Sequence, residues 1–360
     1  MIETNCDLCG SDQHSLLHEV EVTLDNPRYY RYAKHVPNSD KMTGKFSIVR
    51  CNNCSLVFTN PRFEAEELAL VYSSDKILGG NWKNFWYLFD AKQPDSFSKD
   101  GKGKVKSYST ELYQWKFDII EQHTSSEKGP LQLLDIGCGD GKFVYDALQR
   151  GYEATGIDLS PDRVAKGKSI YGLDDRQIRN INVDDFSPDE KFDIIVMWDV
   201  IEHVESPAAL LKKLRRISHE KTMVFLLTMS LDSMTYRRFG KEWNYINPPQ
   251  HLFYFSHETM GKMLDKVGFD LVAVEMDDSK ETGCHQFIAR VIIGRINRFF
   301  LSLYTKEKPL RGLFKFLQGS ISDERMKERA ENLYPGIYLG RYHDNFVFVA
   351  KPKHNPGGQN

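Results

Sequence analysis

The sequence predicts an α/β fold: a doubly wound, mostly parallel sheet, preceded by a small cysteine-bearing module and interrupted late in the chain by a helical insert. Three observations predict it. The apolar run at 131–136 leads into a turn with alternating glycines, Asp135-Ile136-Gly137-Cys138-Gly139-Asp140-Gly141, and passes into 142–148, where apolar residues fall at helical spacing. A second strand-like run, Ala154-Thr155-Gly156-Ile157, ends in Asp158, 23 residues beyond Asp135. The run at 194–198 is apolar without alternation, as expected of a central parallel strand covered on both faces.

From the amino terminus, the first element is a pair of knuckles, Cys6-Asp7-Leu8-Cys9 and Cys51-Asn52-Asn53-Cys54. Each puts two thiolates on one side of a turn, and together they complete a tetrahedral four-cysteine zinc site; coincidental free cysteines are the alternative. Four sulfurs leave no open coordination position, so such a zinc holds structure and does no chemistry. Residues 46–50 and 56–58 read as short strands around the second knuckle, giving a zinc-ribbon-like module over 1–75. Residues 76–106 are aromatic and then rich in Lys and Gly, which suits either a substrate wall with a mobile loop or an aromatic contact between domains.

Composition sets the compartment. The 360 residues carry 48 basic and 50 acidic side chains, a net charge of -2, so no overall field draws nucleic acid or an anionic membrane. No apolar run reaches the ~18 residues of a membrane span, and the start lacks the basic and apolar regions of a signal peptide. Beyond the knuckles, Cys138 lies in the glycine turn and Cys284 stands alone, which suits a reducing compartment. A soluble, cytoplasmic protein is expected.

A helix over 107–122 precedes the glycine turn, which is a ligand cradle at the carboxyl end of a strand. The third glycine of a dinucleotide fingerprint would fall at 142, where this chain has Lys142, and the phosphate-loop pattern is absent. Asp158 sits where a carboxylate accepts hydrogen bonds from both hydroxyls of a ribose. Ser160-Pro161-Asp162, Ser206-Pro207 and Ser256 each offer a helix cap. Strands are expected at 223–228, 269–275 and 343–352.

With the glycine turn and Asp158 both in place, the chain resembles the class I S-adenosylmethionine-dependent methyltransferases. The resemblance implies a Rossmann-like sheet of seven strands over 107–283 and 343–353, with S-adenosylmethionine on Asp135, Gly137, Cys138, Gly139, Gly141 and Asp158. It implies that Asp184 or Asp185 receives the adenine amino group, that Phe186 covers the ring, and that Trp198 meets the methionine part. A Glu-His pair, Glu202-His203, follows the fourth strand as in that family; His203 is read as a catalytic base or as a structural histidine of the loop. The stretch Leu56-Val57-Phe58-Thr59-Asn60-Pro61-Arg62, with Tyr72 beyond it, and the loop Trp243-Asn244-Tyr245-Ile246-Asn247-Pro248-Pro249-Gln250-His251 resemble segments of bacterial sugar methyltransferases.

That narrower resemblance implies a saccharide or nucleotide-sugar acceptor, with His251 as candidate base and Tyr72 and His203 as further acceptor-site candidates. A neutral imidazole titrates near neutrality and can take a proton from a hydroxyl or an activated C–H. The insert, 284–342, carries seven Lys/Arg and one acid over 284–318, for peripheral membrane contact, an anionic acceptor, or packing on the core or on a second subunit. Residues 354–360 read as a disordered tail, and the sequence sets no oligomeric state. A zinc-containing RNA methyltransferase, a lipid- or quinone-directed methyltransferase and a non-catalytic binding protein stay open as alternatives.

Overall fold

A computed structural model of the chain describes residues 1–23, 43–64, 98–99, 105–106, 113–125, 129–188, 191–243, 245–248, 250–276 and 344–354. Met1–Asp277 and Asp344–Asn360 cluster as one compact unit. Tyr72, Cys284, the expected insert at 284–342 and most of the aromatic segment and tail lie outside the described residues.

In chain order the strands begin with β1 (His14–Val22), β2 (Gly44–Cys51) and β3 (Val57–Thr59), followed by the paired β4 (Ser98–Lys99) and β5 (Val105–Lys106). Then come α1 (Gln114–His123), β6 (Gln132–Ile136), α2 (Lys142–Gln149), β7 (Glu153–Asp158), α3 (Pro161–Tyr171), β8 (Ile178–Asn180) and β9 (Phe192–Trp198). The remainder is α4 (Pro207–Arg216), β10 (Ser218–Met229), α5 (Met234–Phe239), β11 (Phe253–Tyr254), α6 (His257–Lys266), β12 (Phe269–Met276) and β13 (Asn345–Pro352). Serine caps set the starts of α3, α4 and α6: Ser160, Ser206 and Ser256 each accept the backbone N–H three residues on.

Seven strands form one sheet in the order β12-β13-β10-β9-β6-β7-β8. β13 runs antiparallel to both its neighbours and the other pairings are parallel. Successive residues of a strand point to opposite faces, so an unbroken apolar run covers two cores. Leu133, Ile194, Val196 and Phe225 join Phe117 and Phe143 on one face. Leu134, Ile195, Met197 and Leu226 face the other way, toward Leu211, Leu214 and Met260.

The amino-terminal sheet, order β1-β2-β3-β11, takes its fourth strand from the loop after β10. Phe253 pairs with Phe58 and Tyr254 with Val57. The first knuckle docks on the start of α4: Asp7 accepts hydrogen bonds from the Ser206 hydroxyl (2.6 Å) and the Ala208 N–H (2.8 Å). Cys6, Phe46, Leu56 and Phe58 consequently share one buried cluster with Leu211 and Met260. β1, β8 and α5 are elements the sequence reading did not anticipate. β1 carries apolar residues without a run, and β8 is only three residues long.

Candidate active site

The glycine turn opens at the carboxyl ends of β6 and β7. Gly137 and Cys138 donate their N–H groups to the Ile157 carbonyl (2.8 and 3.1 Å), and Gly141 closes the turn on Cys138 O at 3.0 Å. Gly139 holds φ +60°, and a Cβ there would meet nothing nearer than an Arg163 guanidinium nitrogen at 3.4 Å. This is backbone left bare for a close approach. Asp158 sets the turn's height: one carboxylate oxygen accepts from Gly139 N and the other from Ser160 N, both at 2.8 Å. Each oxygen keeps a lone pair for a further donor such as a ribose hydroxyl. Cys138 turns its sulfur toward the sheet, against the Gly156 backbone, so only its main chain faces the cradle.

Beneath the turn, polar groups are buried among apolar and aromatic side chains. Asp135 and Lys116 are both buried, the latter 8% exposed. The Lys116 ammonium sits 4.4 Å from the Trp198 ring centroid and 4.9 Å from that of Tyr113. Two buried polar atoms here, Asp135 Oδ1 and Trp198 Nε1, have no hydrogen-bond partner among the described residues. Native proteins rarely leave such atoms orphaned, and one acceptor and one donor together fit a polar ligand. Lys116 was missed in the sequence, where its signal is a lysine four residues before Ile120, on the buried stripe of α1.

Burial raises the Asp135 carboxyl from 3.8 to about 7; Lys116 opposes the rise and Asp158 adds to it. A carboxyl raised on folding binds its proton more tightly in the native state, so stability falls as pH climbs from about 4 through 7. Asp135→Asn is therefore expected to raise the melting temperature of the ligand-free protein increasingly between about pH 5 and pH 8. The gain at the upper end is on the order of 2–4 kcal/mol. Thermal unfolding at the two pH values checks this, and an equal shift at both would contradict it.

β9 delivers the other half of the site. Asp199, at its exit, adopts φ 57°, a left-handed conformation uncommon outside glycine. The chain then turns, His203 N bonding Val200 O at 2.9 Å, and sends Glu202 into the interior, 1% exposed. Glu202 accepts from the Thr228 hydroxyl at 3.0 Å. Burial, then the charge of Asp199, pushes its carboxyl well above the usual range. His203 donates its Nδ1–H to Gln250 O (3.0 Å) and His251 its Nδ1–H to Tyr245 O (2.7 Å). Their ring centroids lie 4.8 Å apart. Burial lowers His203 to about 4, so it stays neutral at physiological pH.

His251 is held in place by the amino-terminal sheet. Thr59 Oγ1 donates to His251 O (2.9 Å), Thr59 N to Leu252 O (2.9 Å), and Leu252 N to Glu202 O (2.8 Å). Val200 packs so tightly on the glycine turn that a Cβ on Gly137 would lie 2.6 Å from it. The Glu202 loop and the cradle thus share a wall.

Of the other expected contacts, Asp184 and Asp185 are exposed, with Lys213 reaching the Asp184 carbonyl. Phe186 is buried and stacks on Phe192 at 6.2 Å, so its ring is largely enclosed by protein. The four knuckle cysteines do meet. Cys6 and Cys54 sulfurs are 3.4 Å apart, as are those of Cys9 and Cys51, and all four lie within 4.8 Å of one another. Sulfurs on one tetrahedral zinc are spaced by roughly 3.8 Å, so the set fits. Burial pushes the Cys54 thiol up to about 11 and raises that of Cys6 further, whereas at Cys9 burial is outweighed by hydrogen bonds, led by that of the Ser11 backbone, which lower the thiol to about 7; a cation would neutralise the thiolates of the set.

Residues 109–274 match the model of a methyltransferase domain family. Together with the seven-stranded topology, which β13 completes outside the matched residues, this match gives the chain a Rossmann-like methyltransferase fold. Among sequence relatives, the chain is 31% identical over 120 residues to a ubiquinone biosynthesis O-methyltransferase of Rhodopseudomonas palustris, covering 32% of this chain and 46% of that protein. It is 32% identical over 110 residues to the Pseudomonas aeruginosa protein of the same name, covering 29% and 47%. The chain spans about half the length of these relatives. Among solved structures it is similar to an S-adenosylmethionine-dependent methyltransferase from Mesorhizobium loti, at 17% identity, 66% and 97% coverage and a TM-score of 0.40. Another, from Archaeoglobus fulgidus, shows 18% identity, 68% and 94% coverage and a TM-score of 0.40. No helix among the described residues is long and apolar enough to cross a membrane.

Proposed function

We propose that the protein transfers a methyl group from S-adenosylmethionine to a hydroxyl or acidic carbon of a small acceptor, of which a saccharide or nucleotide sugar is the first choice. The observation that carries this is the pairing, across the Gly137–Val200 contact, of a cradle with orphaned polar atoms and two adjoining loops that bring together His203, His251 and a buried glutamate. Asp158 and the bare Gly139 backbone would hold the nucleoside, and Asp135 and Trp198 Nε1 the polar end of the methionine part. When bound, the cofactor supplies a methyl group on a positively charged sulfur, a leaving group that needs no acid. The chain's task is then in-line placement of the acceptor and removal of its proton. Loss of that proton depends on His251, whose Nδ1–H is committed to Tyr245 O and whose Nε2 is therefore the basic nitrogen. In the same reading the four cysteines hold a structural zinc that fixes the loop bearing His251.

A second acceptor class, a phenol or hydroxylated quinol, is favoured by the names of the relatives from Rhodopseudomonas palustris and Pseudomonas aeruginosa. The test is calorimetry with S-adenosylhomocysteine, followed by transfer of labelled methyl groups to panels of nucleotide sugars and hydroxylated quinols. His251→Ala is expected to lower turnover by about 10²–10⁴-fold while leaving uptake of S-adenosylhomocysteine intact. Absence of that uptake in the wild-type protein would end the proposal, and full turnover by the variant would remove His251 from it.

A further inference from the structure

We propose that Glu202, His203 and His251 together bind a divalent transition-metal ion at the acceptor side of the crevice, through one carboxylate oxygen and two imidazole nitrogens. One donor atom from each lies within 4.8 Å of the other two, and His203 Nε2 is 3.8 Å from Glu202 Oε1. Ligands about 2.1 Å from one ion are separated by roughly 3–4.2 Å, so the trio closes on a cation with side-chain shifts of about half an ångström.

The surroundings are those of a metal site. Histidine ligands donate their second ring N–H to a carbonyl or carboxylate, which fixes the tautomer and aims the other nitrogen. Both histidines do so, to Gln250 O and Tyr245 O. The glutamate is oriented in the same way by the Thr228 hydroxyl on its other oxygen. A glutamate buried to 1% exposure can carry its charge only beside a cationic partner or a metal. Among the described residues no Lys or Arg lies in ion-pair range of it. The ligands come from two separate segments, the exit of β9 and the loop tied to β3, whose hydrogen bonds to each other rigidify the site.

Two nitrogens and one oxygen leave open positions on such an ion, and the set suits Mn, Fe, Co, Ni or Zn ions better than Mg or Ca. The consequence rests on the methyltransferase reading. With its Nε2 on the cation, His251 promotes loss of the acceptor proton through the metal and not as a free base: an acceptor hydroxyl bound to the cation becomes acidic enough to release its proton to water near neutral pH. Its oxygen pair then forms the bond to the methyl carbon as the sulfur–methyl pair returns to sulfur. Acceptors with two adjacent oxygens, a vicinal diol or a catechol, would chelate and be preferred.

The test is titration of the full-length protein, with its cysteine site left loaded, by Mn²⁺ followed by electron paramagnetic resonance. The expected result is one bound Mn²⁺ per chain, with affinity reduced at least tenfold in both Glu202→Gln and His251→Asn. Circular dichroism on each variant separates loss of ligand from loss of fold, and a variant that unfolds is replaced by His203→Asn. No uptake by the wild-type protein, or unchanged uptake in folded variants, overturns the proposal. S-adenosylhomocysteine calorimetry on the same sample keeps the two readings apart: cofactor uptake without Mn²⁺ sinks only the cation site, and Mn²⁺ without cofactor sinks only the methyltransferase reading.

Discussion

Stripping the four-cysteine site with a chelator, or replacing Cys51 by Ala, is expected to lower the melting temperature by more than about 10 °C and to abolish methyl transfer. Zinc binding by small four-ligand sites contributes on the order of 10 kcal/mol of apparent free energy, far more than one hydrogen bond, so its loss should exceed any single side-chain deletion in this chain. The damage would not stay local. Cys51 ends β2 and its N–H bonds Leu56 O, the contact that turns the chain into β3. β3 in turn pairs with β11 and bonds the backbone at His251 and Leu252. A frayed knuckle therefore releases the loop carrying His251 while leaving Asp158 and the glycine turn in place. Elemental analysis should find at least one zinc per chain in the purified protein, and one that is lost in Cys51→Ala. After chelation, S-adenosylhomocysteine should still bind although turnover is gone. An unchanged melting temperature after complete removal of metal would refute a structural zinc.

That coupling between module and active site was not legible in the sequence, although both parts were. The knuckles, the glycine turn and Asp158 announce themselves because each needs particular residue types at short fixed spacings. The apolar runs of β6 and β9 follow from burial on both faces. The pairing of Val57 with Tyr254 joins segments nearly 200 residues apart, and nothing local in Phe253-Tyr254-Phe255 distinguishes a strand of the first sheet from a continuation of the loop before it. Glu202 was read as half of a dipeptide. Its burial, and the approach of His251 to it, depend on the left-handed turn at Asp199, which an ordinary Trp-Asp-Val sequence does not signal. Lys116 escaped for a similar reason, since a lone lysine on an apolar helix face reads as an interruption until its aromatic neighbours are known.

Gly167 is the sharpest case of a residue whose role only the fold reveals, and among the described glycines in ordinary helical backbone Gly167→Ala is expected to be the costliest methyl addition. Gly167 lies in the middle of α3 in ordinary helical backbone, where Ala normally stabilises a helix by up to about 1 kcal/mol. Here a Cβ would sit 2.2 Å from the Asp140 carbonyl oxygen and 3.1 Å from Ile178 Cδ1. The first clash is with main chain, which cannot swing aside as a flexible side chain does, so α3 and the glycine turn must separate by about an ångström. Overpacking of this kind typically costs 1–3 kcal/mol, which outweighs the gain in propensity. The displaced turn is the cradle itself: Asp140 lies between Gly139, whose N–H is held by Asp158, and Gly141, which starts α2. The variant should therefore lose affinity for S-adenosylhomocysteine by at least tenfold and melt several degrees lower. Gly172→Ala supplies the contrast. Its Cβ would meet nothing within 4 Å, and its left-handed φ of +69° costs stability without touching the cradle, so cofactor affinity should hold. Equal affinities for Gly167→Ala and the wild-type protein would show that the helix and the turn are free to part, and that the close approach does not set the height of the nucleoside site.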